Sequence, residues 1–294
     1  MLEKLTTEKR NSSTMDLDVM SIHEILEAMN REDVTVPQAV AMELHSIEEA
    51  VQNVIQSFQE GGRLIYIGAG TSGRLGILDA VECKPTFGSP SEMVQGFIAG
   101  GMKAFTEAVE GAEDNEDLGE SDLKSIHVSE KDTVIGIAAS GRTPYVIGAL
   151  KYAGHVGANT VSISCNKNSE ISKFANVKIE VETGPEVLTG STRLKAGTAQ
   201  KLILNMISTA SMIGIGKVYK NLMVDVQSTN YKLVERSKRI IMQAADVDYD
   251  TAEKYFEDAQ HNVKAAIIMI LLQCSYKEAL EKLKLSNGFI RKAL

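Results

Sequence analysis

The feature that most narrows what this chain can become is a local grammar written twice: a short apolar run, a glycine-bearing loop, then a helical pattern. In the first copy Arg63-Leu64-Ile65-Tyr66-Ile67 leads into Gly68-Ala69-Gly70-Thr71-Ser72-Gly73, and the helical pattern runs from Arg74 to Glu82. In the second, Thr133-Val134-Ile135-Gly136-Ile137-Ala138 leads into Ala139-Ser140-Gly141-Arg142-Thr143-Pro144, with proline suited to the first turn of the next helix. The tripeptide Ser-Gly-Arg occurs in both loops. Residues 159–164 and 177–181 read as two further strands, and 94–99 is strand-like. Strands alternating with helices predict an α/β fold, a parallel sheet covered by helices on both faces.

Upstream, Val40, Leu44, Ile47, Val51, Val54, Ile55 and Phe58 recur at three- and four-residue steps, which predicts an amphipathic helix ended by Gly61-Gly62. Beyond about Ala244 the composition shifts to short acidic and apolar helical segments. The most apolar run, Val263 to Cys274, is too short and, with Lys264, too charged to span a bilayer, so it reads as a buried helix. Ser275-Tyr276-Lys277-Glu278 has the form of a capping box. The expected division is a main domain with an N-terminal helical segment over residues 1–243 and a small helical module over 244–294.

The formal charge of −8 over 294 residues disfavours a nucleic-acid binder, whose affinity rests on Lys and Arg neutralising phosphates. A small phosphorylated ligand stays open, because a few backbone amides and hydroxyls can hold one phosphate whatever the net charge. The stretch Met1 to Arg10 carries charges where a signal peptide needs its apolar segment, so a cytoplasmic protein with no membrane partner is expected. Cys83, Cys165 and Cys274 are odd in number and far apart. His23, His45, His127, His155 and His261 show no ligand spacing, so neither a disulfide framework nor a metal is predicted.

Gly68-x-Gly70-x-x-Gly73 after a strand also matches the dinucleotide fingerprint. A nicotinamide site would want an acid about 20 residues on, at the end of the next strand. That run ends instead in Gly100-Gly101. The loop carries Thr71 and Ser72, and later helix starts carry Ser140, Thr143, Ser191 and Thr192. Each hydroxyl alone suits an N-cap; several at one sheet edge suit a terminal phosphate, with the helix dipole favouring the anion. The candidate substrate and phosphate residues are therefore Thr71, Ser72, Gly73, Ser140, Gly141, Thr143, Ser191, Thr192 and Lys195, the last of which could equally be solvent-facing.

Residues 68–76 (Gly-Ala-Gly-Thr-Ser-Gly-Arg-Leu-Gly) and 79–88 (Asp-Ala-Val-Glu-Cys-Lys-Pro-Thr-Phe-Gly) together resemble the N-acetylmuramic acid 6-phosphate etherase family. Glu110-Gly111-Ala112-Glu113-Asp114 and Ser191 through Lys201 carry the same resemblance, which runs from Leu5-Thr6-Thr7-Glu8 to the C-terminal tail. It implies a SIS-type (sugar isomerase) three-layer αβα fold, a ubiquitin-associated-like C-terminal helical module, a homodimer and no cofactor. It also implies a lyase that removes the D-lactyl ether of N-acetylmuramic acid 6-phosphate, giving N-acetylglucosamine 6-phosphate and D-lactate in bacterial recovery of cell-wall amino sugars.

The family pattern places Glu82 and Glu113 in the active site, with Glu82 as proton donor and Glu113 as partner acid/base. By residue patterning alone Glu82 is an ordinary helix-end acid, and Glu113 belongs to an acidic stretch that reads as a solvated face. Two other functions stay open on the same fold: a sugar-phosphate-sensing regulator similar to the glucokinase regulatory protein, and a sugar-phosphate isomerase.

Overall fold

The computed structural model describes residues 5–107, 109–226 and 231–294. The first four residues of the charged N-terminal stretch lie outside them. The chain divides into two compact units. One comprises Met1–Ala80 and Glu92–Ser208, the other Val81–Ser91 and Thr209–Leu294.

The first unit opens with helices α1 (Ile22–Asp33), α2 (Val36–Ala41) and α3 (Leu44–Gln59), followed by strand β1 (Leu64–Gly68). The single helix expected from Val40 to Phe58 is thus two, with a break at Met42 and Glu43. Glu43 is buried there, its carboxylate engaged by the Lys167 ammonium and the Glu180 backbone amide. Then come α4 (Gly70–Phe87), β2 (Val94–Ile98), α5 (Lys103–Thr106), α6 (Glu116–Ser125), β3 (Thr133–Ile137), α7 (Pro144–His155), β4 (Asn159–Ser164), β5 (Val177–Glu180) and α8 (Lys195–Gly214).

The five strands form one parallel sheet in the order β2-β1-β3-β4-β5. Every residue of β1 and β3 is buried, as strands covered on both faces must be, which explains their continuous apolar sequences. Ile65, Ile67, Val134, Tyr145, Val146, Ala149 and Leu150 join in one core that includes the inward face of α7. The order reverses direction between β1 and β3, so the crevice beyond their carboxyl ends is the topological switch point at which open α/β sheets bind ligands. Both Ser-Gly-Arg loops start at that edge.

The second unit holds the hairpin β6 (Val218–Tyr219) and β7 (Leu222–Met223), then α9 (Tyr231–Ala245), α10 (Tyr249–Asp258), α11 (Val263–Leu272), α12 (Tyr276–Leu285) and α13 (Ile290–Ala293). The apolar run read as a buried helix is α11: Val263 through Ile270 are all buried, with Phe256, Ala279 and Leu283 around it. Lys264 enters this core by giving its ammonium to Asp225 at 2.7 Å. Ser275 and Glu278 form the expected capping box at the start of α12. No helix of the described residues is long and apolar enough to cross a membrane.

Candidate active site

The loop after β1 turns through Gly70, whose φ of +51° suits a residue without a side chain, and enters α4 at once. Gly73 lies against the strand end: a Cβ there would stand 2.7 Å from the Gly68 carbonyl oxygen. Glycine at this position therefore lets the first turn of α4 sit on β1. Thr71 is half-buried and Ser72 buried, with the Ser72 hydroxyl donating to Gln200 Oε1 at 2.9 Å. Gln200, on α8, is itself buried, and its Nε2 has no hydrogen-bond partner among the described residues.

The loop after β3 is built alongside. Ser140 Oγ accepts from the Arg142 amide at 3.3 Å, and Thr143 is the N-cap residue of α7 without using its side chain as a cap. Gly141 has a φ of +70°, and a Cβ on it would come within 2.3 Å of Ser169 Cβ, so no other residue fits this turn. The loop after β4 closes on the same edge through Asn166, whose Nδ2 donates to the Ala139 carbonyl at 3.0 Å and whose Oδ1 accepts from the Thr6 amide at 2.8 Å. Sequence patterning missed Asn166, because its partners lie far away along the chain.

At the start of α8 the anion position is already filled by the protein. The buried Glu186 carboxylate accepts from the Lys195 and Ala196 amides at 2.9 and 3.0 Å. Burial pushes its carboxyl up, against the downward pull of those two amides. The Lys195 ammonium, also buried, pairs with Glu32. Burial pushes Glu32 up as well, but Lys195, Asn11 and Arg31 together outweigh it and hold the carboxyl below its ordinary value. Ser191 and Thr192 are half-buried in the loop just before. Of the candidate phosphate groups, the structure therefore gathers Thr71, Ser72, Gly73, Ser140, Gly141 and Thr143 onto the two loops at the switch point. The α8 start is internally paired through Glu186 and Glu32 and packs beside the first loop, where a Cβ on Gly197 would stand 3.6 Å from Thr71 Cγ2.

A pocket of about 250 Å³ opens beside the first loop, lined by Ala69, Gly70, Arg74, Ala99, Glu110 and Glu113 among others. Glu113 sits in the one-turn helix Ala112–Asp114, which packs on α7, and its side chain is exposed. Glu82 is exposed on α4, in the part of that helix that belongs to the second unit. Its predecessor by three residues, Asp79, is buried and accepts from Tyr66 Oη (2.9 Å), Asn205 Nδ2 (2.7 Å) and Ser208 Oγ (3.1 Å). Burial pushes the Asp79 carboxyl up despite those three donors. Among the described residues no group of three or more His, Cys, Asp or Glu is arranged to hold a metal ion.

A buried carboxylate anchoring α4, hydroxyl-bearing loops at a switch point and an open pocket with a free carboxylate suit acid/base work on a phosphorylated sugar. Comparison with known proteins agrees. Residues 46–154 match the model of the glucokinase regulatory protein N-terminal SIS domain, and residues 108–210 that of the SIS domain. A protein from Bacillus cereus named N-acetylmuramic acid 6-phosphate etherase is 74% identical over 294 residues, covering all of both chains. One of the same name from Bacillus cytotoxicus is also 74% identical over the whole of both chains.

Among solved structures, the phosphoheptose isomerase of Neisseria gonorrhoeae superposes with a TM-score of 0.50 at 16% identity, covering 65% of this chain and 98% of that one. The phosphoheptose isomerase of Francisella tularensis gives 0.50 at 11% identity, covering 66% and 100%. At such identities these two likenesses speak for the fold.

Proposed function

The chain belongs to the N-acetylmuramic acid 6-phosphate etherase family, and from that premise we propose how its own residues perform the reaction. It is a carbon–oxygen lyase that releases D-lactate from N-acetylmuramic acid 6-phosphate and leaves N-acetylglucosamine 6-phosphate. The observation that carries this is full-length identity of 74% to etherases, with Glu113 facing the pocket beside the glycine loop.

An ether oxygen is a poor leaving group, and the C2 hydrogen of the sugar becomes acidic only beside a carbonyl, so the reacting form is the open-chain aldehyde. Glu113 removes the C2 proton. Glu82 protonates the C3 ether oxygen as its bond to C3 breaks, and lactate departs from an α,β-unsaturated aldehyde. Water then adds at C3 and a proton returns to C2. Two carboxyl groups suffice for these transfers, although coupled carboxyls can exchange roles. Ser72, Ser140 and Thr143 hold the 6-phosphate on the two loops, with Thr71 and the Gly73 and Gly141 backbone beside them. Lys195, Ser191 and Thr192 serve at the third helix start, Lys195 through its Glu32 pair.

The enzyme works in the cytoplasm on amino sugars recovered from the cell wall, as a homodimer. Support for self-association comes from Ile22 and Leu26, four residues apart on α1 and respectively 78% and 59% exposed. An apolar stripe of this kind is what a second copy would cover. Residues 244–294 are the appended helical module of this reading, and they share their core with Ile240 and Ile241 of α9. The match to the glucokinase regulatory protein domain supports a second reading, a sensor that binds the phosphosugar without turning it over.

Incubating the purified protein with N-acetylmuramic acid 6-phosphate and assaying D-lactate separates the two. Lactate release supports the lyase. Saturable binding with no lactate would shift the reading to the sensor.

A further inference from the structure

Ser-Gly-Arg closes both glycine loops, yet the chemistry above uses the serines and leaves the arginine of the first loop without a task. Arg74 stands in the second turn of α4, close to a helix start, where a cation opposes the helix dipole and an anion is favoured. No acidic residue in the first turn of α4 offsets it. A cation in such a place calls for an anionic partner.

The structure holds its guanidinium rigidly. Nε donates to the Phe105 carbonyl at 2.9 Å and Nη2 to the Ala104 carbonyl at 2.8 Å, so one edge of the plane is fixed by backbone. Nη1 has no hydrogen bond, and the side chain no ion pair, among the described residues. Arg74 lines the pocket together with Glu107, Glu110 and Glu113, and is the one cation of that lining among the described residues.

The substrate carries two anionic groups, the phosphate and the lactyl carboxylate, and only the second is lost in the reaction. Of the three glutamates in the pocket wall, Glu107 is paired with the Lys103 ammonium at 3.5 Å; Glu110 and Glu113 repel a carboxylate unless a cation receives it. A planar guanidinium with one edge anchored offers the other as a fork that matches carboxylate geometry. Building on the etherase reading, we propose that Arg74 binds the lactyl carboxylate and is the residue by which the pocket selects a lactyl ether over sugar phosphates without one. The bond would hold the lactyl arm in place while Glu113 takes the C2 proton, and once the C3–O bond breaks it would no longer tether the sugar product.

The test compares two substrates, N-acetylmuramic acid 6-phosphate and its analogue in which the lactyl carboxylate is the primary amide, by formation of their common product, N-acetylglucosamine 6-phosphate. Full-length wild-type protein should prefer the acid in kcat/KM by on the order of 100-fold, the worth of a charge-assisted pair. Arg74→Met should lose about that factor on the acid, mainly in KM, and less than about threefold on the amide, so that the preference collapses. Arg74→Lys should recover part of it.

Equal loss on both substrates would mean that Arg74 only staples Ala104 and Phe105, and would overturn the proposal. So would a wild-type enzyme indifferent to the change, a result that needs no variant to fold. No turnover of either substrate by wild type would instead bring down the etherase reading, and this proposal with it.

Discussion

Arg63 and Asp132 meet through three hydrogen bonds: the Arg63 backbone amide and Nε reach Asp132 Oδ1 at 2.9 and 3.0 Å, and Nη2 reaches Oδ2 at 2.7 Å. They stand immediately before β1 and β3, at the sheet edge opposite the glycine loops. The Thr133 amide donates to the Arg63 carbonyl at 2.9 Å, so the same pair starts the ladder that sets the register of the two central strands. Without the Arg63 side chain the buried Asp132 carboxylate keeps its backbone amide donors, from residue 63 and Ser129, but loses the guanidinium charge that balances it. Arg63→Met should cost about 3 kcal/mol of unfolding free energy, read from urea midpoints at constant m-value.

The same pair makes an acid prediction. Burial pushes the Asp132 carboxyl up, but Arg63 and the Ser129 amide outweigh it and hold it below the ordinary carboxylate range. A lowered folded-state value contributes stability that is present above about pH 4, the unfolded value, and is lost as pH falls through the folded one. Asp132→Asn should therefore be less stable than wild type at neutral pH and show a shallower fall in acid. Parallel acid limbs for the two proteins would contradict this.

How much of this was legible beforehand depends on how far apart the partners lie. β4 coincides with the expected 159–164 run, α11 with the buried apolar run and the Ser275–Glu278 box with its prediction, because each is a local pattern. The α8 start shows the opposite. Hydroxyls at Ser191 and Thr192 point to an anion site, and nothing nearby in the sequence announces that the Lys195 and Ala196 amides are taken by Glu186 and the Lys195 ammonium by Glu32, 163 residues away. Asn166 and Gln200 were silent for the same reason. Local spacing announces a helix start; only the fold decides what fills it.

Asp79 offers a graded test of the anchor beneath α4. Asp79→Leu would take away the acceptor that Tyr66, Asn205 and Ser208 share, and should cost about 3 kcal/mol. Asp79→Asn keeps an oxygen for Asn205 and Ser208 and lets the Tyr66 hydroxyl accept, so it should cost only about 1 kcal/mol. Chemical denaturation would check the order, and equal losses would show that the network does not carry the stability assigned to it.

Ser72 has two possible duties. If its hydroxyl serves the 6-phosphate, Ser72→Ala should raise KM about tenfold with kcat little changed, since a hydrogen bond to an anion is worth about 1.5 kcal/mol or more. Were it merely the partner of Gln200, the variant would lose about 1 kcal/mol of stability and keep its KM. Steady-state kinetics beside a melting curve tells the two apart.

Glu82 and Glu113 are both exposed, so replacing either by glutamine removes a proton-transfer group without disturbing packing. Melting temperatures should stay within the spread of ordinary surface substitutions, about 0.5 kcal/mol. Turnover should not. Loss of a general acid or base is worth about 10²- to 10⁴-fold, and both variants should show it in kcat while still binding the phosphosugar. Solvent deuterium divides the labour between them. If Glu113 takes the C2 proton, Glu113→Gln should lose exchange of that hydrogen with solvent, whereas Glu82→Gln should keep exchanging it while failing to release lactate. The reverse pattern would exchange the two roles, and near-normal lactate release by either variant would remove that residue from the mechanism.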